Sequence, residues 1–110
     1  MLVESYFVKI QVAAPPEFAD AIREAMGKAG AGEQGNYARC SGSFRATGRF
    51  LPREGAKPAI GAVGKPAVVE EEIIQAICRR DLVETVILAI KKVHPYEEPA
   101  IDILPRLEIS

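Results

Sequence analysis

The sequence predicts an α+β domain in which one antiparallel sheet carries two helices on a single face, in the order strand, helix, strand, strand, helix, strand. Three observations point there. Apolar and polar residues alternate early in the chain, two other stretches repeat apolar residues at three- and four-residue spacing, and strand-like segments lie around and between them. At 110 residues the chain can enclose one core and not two, so residues 1–110 are expected to form a single domain.

The first strand is expected where Tyr6, Val8, Ile10 and Val12 alternate with Phe7, Lys9 and Gln11, the period of two of a strand with one face on a core. Pro15 and Pro16 end it and open a helix, and Glu17 and Asp20 suit the positive end of the helix dipole. Phe18, Ala21, Ile22, Ala25, Met26 and Ala29 then form one apolar stripe, with Gly30 as the stop. Between Gly35 and Phe50 the composition turns to Tyr, Phe, Thr and Ser with Gly42 and Gly48, which reads as a hairpin of two strands. Leu51 to Pro66 holds too many prolines and glycines for a regular element and reads as a long functional loop.

Val68 to Cys78 is rich in β-branched residues and predicts a strand, with Ile73 and Ile77 on one face and Ile74, Ala76 and Cys78 on the other. Asp81 followed by Glu84 resembles a capping box, after which Leu82, Val86, Ala89, Ile90 and Val93 repeat at helical spacing until Lys91, Lys92 and Pro95 close the second helix. Ala100 to Leu104 is the final strand. The complete order is the βαββαβ of a ferredoxin-like sandwich. Two helices cover one face only, so Phe7, Ile73 and Ile77 on the other need a second subunit. A homo-oligomer is expected, a trimer before a dimer.

With 14 basic and 15 acidic residues the formal charge is −1, too little positive field for nucleic acid or an anionic membrane to be a partner. No signal peptide is expected, because Met1 to Tyr6 carry no basic residue, and no apolar run approaches the length of a membrane span. Cys40 and Cys78 share no metal-ligand spacing and are expected to be free thiols in a cytoplasmic protein.

Two passages go beyond pattern: Gly35-Asn36-Tyr37 with Cys40-Ser41, Gly48, Phe50, Pro52, Gly55, Pro58, Ile60-Gly61 and Gly64, and His94-Pro95-Tyr96-Glu97-Glu98-Pro99-Ala100 with Asp102. Together they resemble the small domain inserted in the bacterial YqfO type of the NIF-three-like family, from about Tyr6 to Leu104. The resemblance implies a fold like those of the PII signalling proteins and CutA, which assemble as trimers. His94-Pro95-Tyr96-Glu97 with Pro99 is also similar to a CutA signature at the same place between second helix and next strand. The metal-binding portion of NIF-three-like proteins lies in flanking domains outside this stretch, so the resemblance transfers no dinuclear metal site. Many relatives carry a His near the position of Arg39, a companion that Cys40 lacks here. In PII proteins the long central loop reads partners and nucleotide lies between subunits, which by analogy makes Asn36, Tyr37, Arg39, Lys57, Lys65 and Tyr96 the candidate ligand-binding residues.

His94 with Glu97 and Glu98 is the candidate divalent-metal set, because imidazole and carboxylates lie within a few residues. The competing reading is structural: His94 bonds free carbonyls at the helix end, Pro95 stops the helix, Tyr96 packs, and one Glu anchors the turn. Gly55, Gly61 and Gly64 with Lys57 and Lys65 could approach a phosphate, or simply form turns, since no GxxxxGK[ST] or GxGxxG pattern is present. Arg39, Arg45, Arg49 and Arg53 would add to an anion-attracting surface if they share a face. Cys40 beside Arg39 is either a reactive or a buried structural thiol. Glu70, Glu71 and Glu72 alternate across a strand and read as solvated edge charge. Three functions remain: an oligomeric module binding a small ligand or protein partner, a divalent-metal-binding protein of CutA character, and an enzyme using His94 and a carboxylate as acid and base.

Overall fold

A computed structural model describes all of the chain, Met1–Ser110. A four-stranded antiparallel sheet is built from β2 (Phe7–Ala14), β3 (Gly42–Phe50), β4 (Ala67–Arg79) and β5 (Ile101–Leu104), in the spatial order β3-β4-β2-β5. Helices α1 (Ala19–Lys28) and α2 (Val83–Val93) pack on one face, each entered through a short 3₁₀ turn, Pro16–Phe18 and Arg80–Leu82. This is the α+β, ferredoxin-like βαββαβ architecture that the apolar periodicities predict.

The register explains the core. β2 pairs with β4 so that Val8 faces Cys78, Ile10 faces Ala76 and Val12 faces Ile74. These residues, all buried, meet Ile22 and Met26 of α1 and Val86 and Ile90 of α2. Full burial of such an aliphatic side chain contributes about 1.5–3 kcal/mol each. The opposite face presents Phe7, Ile73 and Ile77 together, as expected, along with Phe44, which is 52 % exposed. Across it Gln75 donates its side-chain amide to Gln11 at 2.7 Å. Neither helix covers this face.

Three expectations need correction. Residues 35–50 form one strand, not a hairpin of two, because Gly32, Gly35 and Arg39 adopt left-handed backbone (φ +85°, +58° and +58°) and turn the chain before β3 begins. The hairpin partner of β3 is β4, across the long loop. Asp81 does not cap α2, because its carboxylate accepts both Arg79 Nε at 3.0 Å and Arg79 Nη2 at 2.9 Å. The acidic run is edge charge only in part: β2 ends opposite Glu72, which is flanked on both sides, while Glu70 and Glu71 have β3 alone as a strand neighbour. Glu72 is paired with Arg23 and Arg45, and Glu71 turns to the other face.

The sequence reading also missed a second sheet. β1 (Leu2–Glu4) and β6 (Leu107–Ile109) form a two-stranded antiparallel ribbon in which Leu2 faces Ile109. Arg80 fastens it to the body, donating to the Ser5 carbonyl at 2.9 Å and to Glu4 at 2.8 Å, while Ser5 donates to Glu108 at 3.0 Å.

Candidate ligand-binding groove

Residues 51–66 join β3 to β4, and they are folded rather than open. Gly55, Gly61 and Gly64 take left-handed backbone, and the Gly64 N–H donates to the Pro52 carbonyl at 2.8 Å. Pro52 is buried at that closure. Gly61 lies against the Phe50 ring, where a Cβ would come within 3.6 Å of it. The Lys57 backbone N–H reaches out of the loop and donates to Glu97 Oε1 at 3.1 Å. That bond joins the loop to the segment that follows α2.

His94 begins that segment in extended backbone, its N–H closing α2 on the Ile90 carbonyl at 2.9 Å. It is only 8 % exposed. Its Nε2 lies 2.7 Å from the Ala13 carbonyl, which can only accept, so Nε2 bears the proton. Nδ1 then accepts the Tyr96 N–H at 3.1 Å. Both ring nitrogens are committed inside the chain, in the manner of a structural histidine.

Tyr96 occupies the space beyond the end of β2. Its ring lies 4.9 Å from the imidazole, and its hydroxyl donates to Glu71 Oε2 at 3.1 Å. Burial, and next the neighbouring Glu71 carboxylate, push the phenol up to about 12, so it stays a neutral donor well above neutral pH. Glu71 reaches this position by lying over Gly48 of β3. A Cβ at Gly48 would sit 2.1 Å from Glu71 Oε1, so only glycine leaves the room.

Loop and segment thus face each other across a groove of about 330 Å³, walled by Phe50, Leu51, Pro52 and Ile60 on the apolar side, with Glu71, Tyr96, Glu97 and Glu98 as polar lining. Of the predicted residues, Tyr96, Glu97 and Glu98 lie here. Lys57 contributes its backbone, and the Lys65 side chain is exposed elsewhere on the loop. Gly48, Phe50 and Pro52, which belong to the first distinctive passage but carried no site role, line or support the groove, and Glu71, read as solvated charge, joins them. The alternation of Glu70, Glu71 and Glu72 could have singled out Glu71, because it alone of the three turns away from Arg23 and Arg45.

Asn36, Tyr37 and Arg39 lie apart from this groove. Asn36 and Tyr37 sit on an exposed turn closed by the Gln34–Tyr37 bridge. Arg39 packs its stem over Gly27 and donates to Glu24 at 2.8 Å, and that guanidinium holds the Glu24 carboxyl below its usual range. Arg39 and Cys40 line a separate cavity with Asp20, Arg23 and Glu24, where the arginines already have carboxylate partners. The four arginines of the sequence reading do not form one surface: Arg45 is bound to Glu70 and Glu72, while Arg49 lines the groove. Nor do His94, Glu97 and Glu98 converge. No three His, Cys, Asp or Glu side chains in the chain gather as metal ligands would.

The architecture and the His94–Ala100 turn define a class: a CutA/PII-like domain. Solved structures agree. The periplasmic divalent cation tolerance protein CutA from Archaeoglobus fulgidus superposes with a TM-score of 0.67 over 91 % of this chain and 83 % of that one, at 21 % identity, a likeness of fold. In sequence the chain is a homologue of a domain-sized portion of NIF3-related proteins. It is 44 % identical over 97 residues to the GTP cyclohydrolase 1 type 2 homolog of Halalkalibacterium halodurans and 42 % identical to that of Bacillus subtilis, covering 88 % of this chain and 26 % of each relative. A Bacillus cereus protein related to NIF3 superposes with a TM-score of 0.80 at 39 % identity, over 96 % of this chain and 26 % of that one. The chain therefore spans about a quarter of the length of the relatives it matches. No protein-family model matches it. No helix is long and apolar enough to cross a membrane.

Proposed function

We propose that residues 1–110 form a single binding module that works without chemistry of its own, in which the groove between the 51–66 loop and the His94–Ala100 segment receives a small ligand or a partner's side chain. The observation that carries this reading is the meeting of the two most distinctive sequence passages. Forty residues apart, Lys57 and Glu97 join them by one hydrogen bond across the groove mouth. The enzyme reading fares worse, because His94 has no free nitrogen with which to exchange a proton. The divalent-metal reading would need the same nitrogens released.

The module acts as a homo-oligomer, a trimer before a dimer. What supports this is the uncovered sheet face bearing Phe7, Phe44, Ile73 and Ile77, apolar area that a second copy would remove from water. Two free thiols, Cys40 and Cys78, suit a reducing cytoplasm.

The test is a two-part measurement on purified protein. Light scattering coupled to gel filtration is expected to give a mass of three chains, and a monomer at micromolar concentration would refute the assembly. A metabolite panel followed by amide chemical-shift mapping is expected to move Phe50, Ile60 and Tyr96 signals. Shifts confined to Asn36–Cys40, or to none of these residues, would refute the groove.

A further inference from the structure

The groove has an unusual electrostatic composition for an apolar slot. Its walls are Phe50, Leu51, Pro52, Ala56, Pro58 and Ile60, and onto the floor between them the fold delivers one carboxylate, Glu71. That delivery is built in steps: His94 is fixed by the Ala13 carbonyl, it fixes the Tyr96 backbone, the Tyr96 hydroxyl holds Glu71 Oε2, and Gly48 vacates the space beneath. A half-buried carboxylate ordinarily gains a cation, as Glu72 next to it does with Arg23 and Arg45. Glu71 has only a neutral hydroxyl. Arg49 also lines the groove, from a β3 position that alternates to the other face from Phe50, and it forms no ion pair with Glu71. Glu97 and Glu98 add negative charge at the mouth.

We propose that the groove binds a small organic cation, a primary alkylammonium whose apolar stem lies on Phe50, Pro52 and Ile60 and whose charged head pairs with Glu71. The inference rests on the groove being the module's ligand site, and it specifies the chemistry of the occupant. Size is consistent: about 330 Å³ accommodates a chain of several methylenes. Charge complementarity selects the sign, and the apolar wall selects an alkylamine over ammonium itself. The Tyr96 hydroxyl orients the carboxylate and is a positioning group, since its proton is already given to Glu71.

The experiment is a nuclear magnetic resonance titration of the full 110-residue chain with hexylammonium, hexanol and hexanoate as matched probes. Hexylammonium is expected to move the Phe50, Ile60, Glu71 and Tyr96 amides at concentrations at least tenfold below those needed for hexanol, with hexanoate inert. In Glu71→Gln, which can still accept the Tyr96 hydroxyl, the preference for hexylammonium over hexanol should vanish. Glu98→Gln, an exposed change that leaves the fold alone, should weaken it less. Equal response to hexanol or hexanoate would overturn the cation assignment while leaving the groove a ligand site. No response at these amides to any of the three would overturn both.

Discussion

Replacing His94 with alanine separates the structural histidine from a metal ligand. The imidazole is nearly buried, and its loss strips the Ala13 carbonyl of a donor at 2.7 Å and the Tyr96 N–H of an acceptor at 3.1 Å. Each such bond is worth about 0.5–1.5 kcal/mol net, and a buried group left unpaired costs about 1–3 kcal/mol. The two losses together come to roughly 2–4 kcal/mol. For a domain of this size that lowers the melting temperature by on the order of 10 °C. The assay is a urea or thermal melt of both proteins, each with and without a chelator. The expected loss is the same in both conditions, and removing metal does not affect the wild type. A wild type stabilised by zinc or copper, with His94→Ala insensitive and otherwise equally stable, would refute the argument, because it would show that the nitrogens are free to ligate.

Two further perturbations address the same chain of contacts. The Tyr96 phenol is raised from 10.0 to about 12, so the folded state holds a proton that the unfolded state releases above pH 10. Stability is therefore flat below that pH and falls as pH rises from 10 through about 12. Gly48→Ala displaces the Glu71 carboxylate and should lower the phenol only part of the way, because burial, the larger cause, remains; the readout is ultraviolet titration of the tyrosines. An unchanged titration would mean that Glu71 does not sit over Gly48. Glu97→Ala removes the acceptor of the Lys57 N–H at a cost of about 1 kcal/mol or less in global stability, but the Lys57 amide should exchange with solvent far faster. Unaltered exchange there would show that the loop is held by other means.

Most of the sandwich was legible because its signals are local. Val8, Ile10 and Val12 announce their burial by alternation, and Ile22 with Met26, or Val86 with Ile90, announce theirs by helical spacing. What failed was whatever depends on a distant or competing partner. Leu2–Glu4 is too short for any period, and its mate Leu107–Ile109 lies at the other end of the chain. Asp81 has the identity of a capping residue, yet Arg79 two positions away offers a bidentate guanidinium, and the charged bond wins over the amide. The Gly35–Phe50 stretch has strand composition throughout, but left-handed residues up to Arg39 consume its first part in a turn.

The site was legible in part for the same reason. The His94–Ala100 run stands out because it is short and continuous, and its Tyr96, Glu97 and Glu98 line the groove. Glu71 hid because its meaning comes from Tyr96, 25 residues on, and from the empty position at Gly48. The order of dependence also explains how a histidine with no free nitrogen bears on the groove. The helix end must be closed on Ala13 before Tyr96 can be placed, and Tyr96 must be placed before a carboxylate can be held without a cation of its own. His94 thus bears on the groove through geometry alone, one hydrogen bond removed from Tyr96, which lines it.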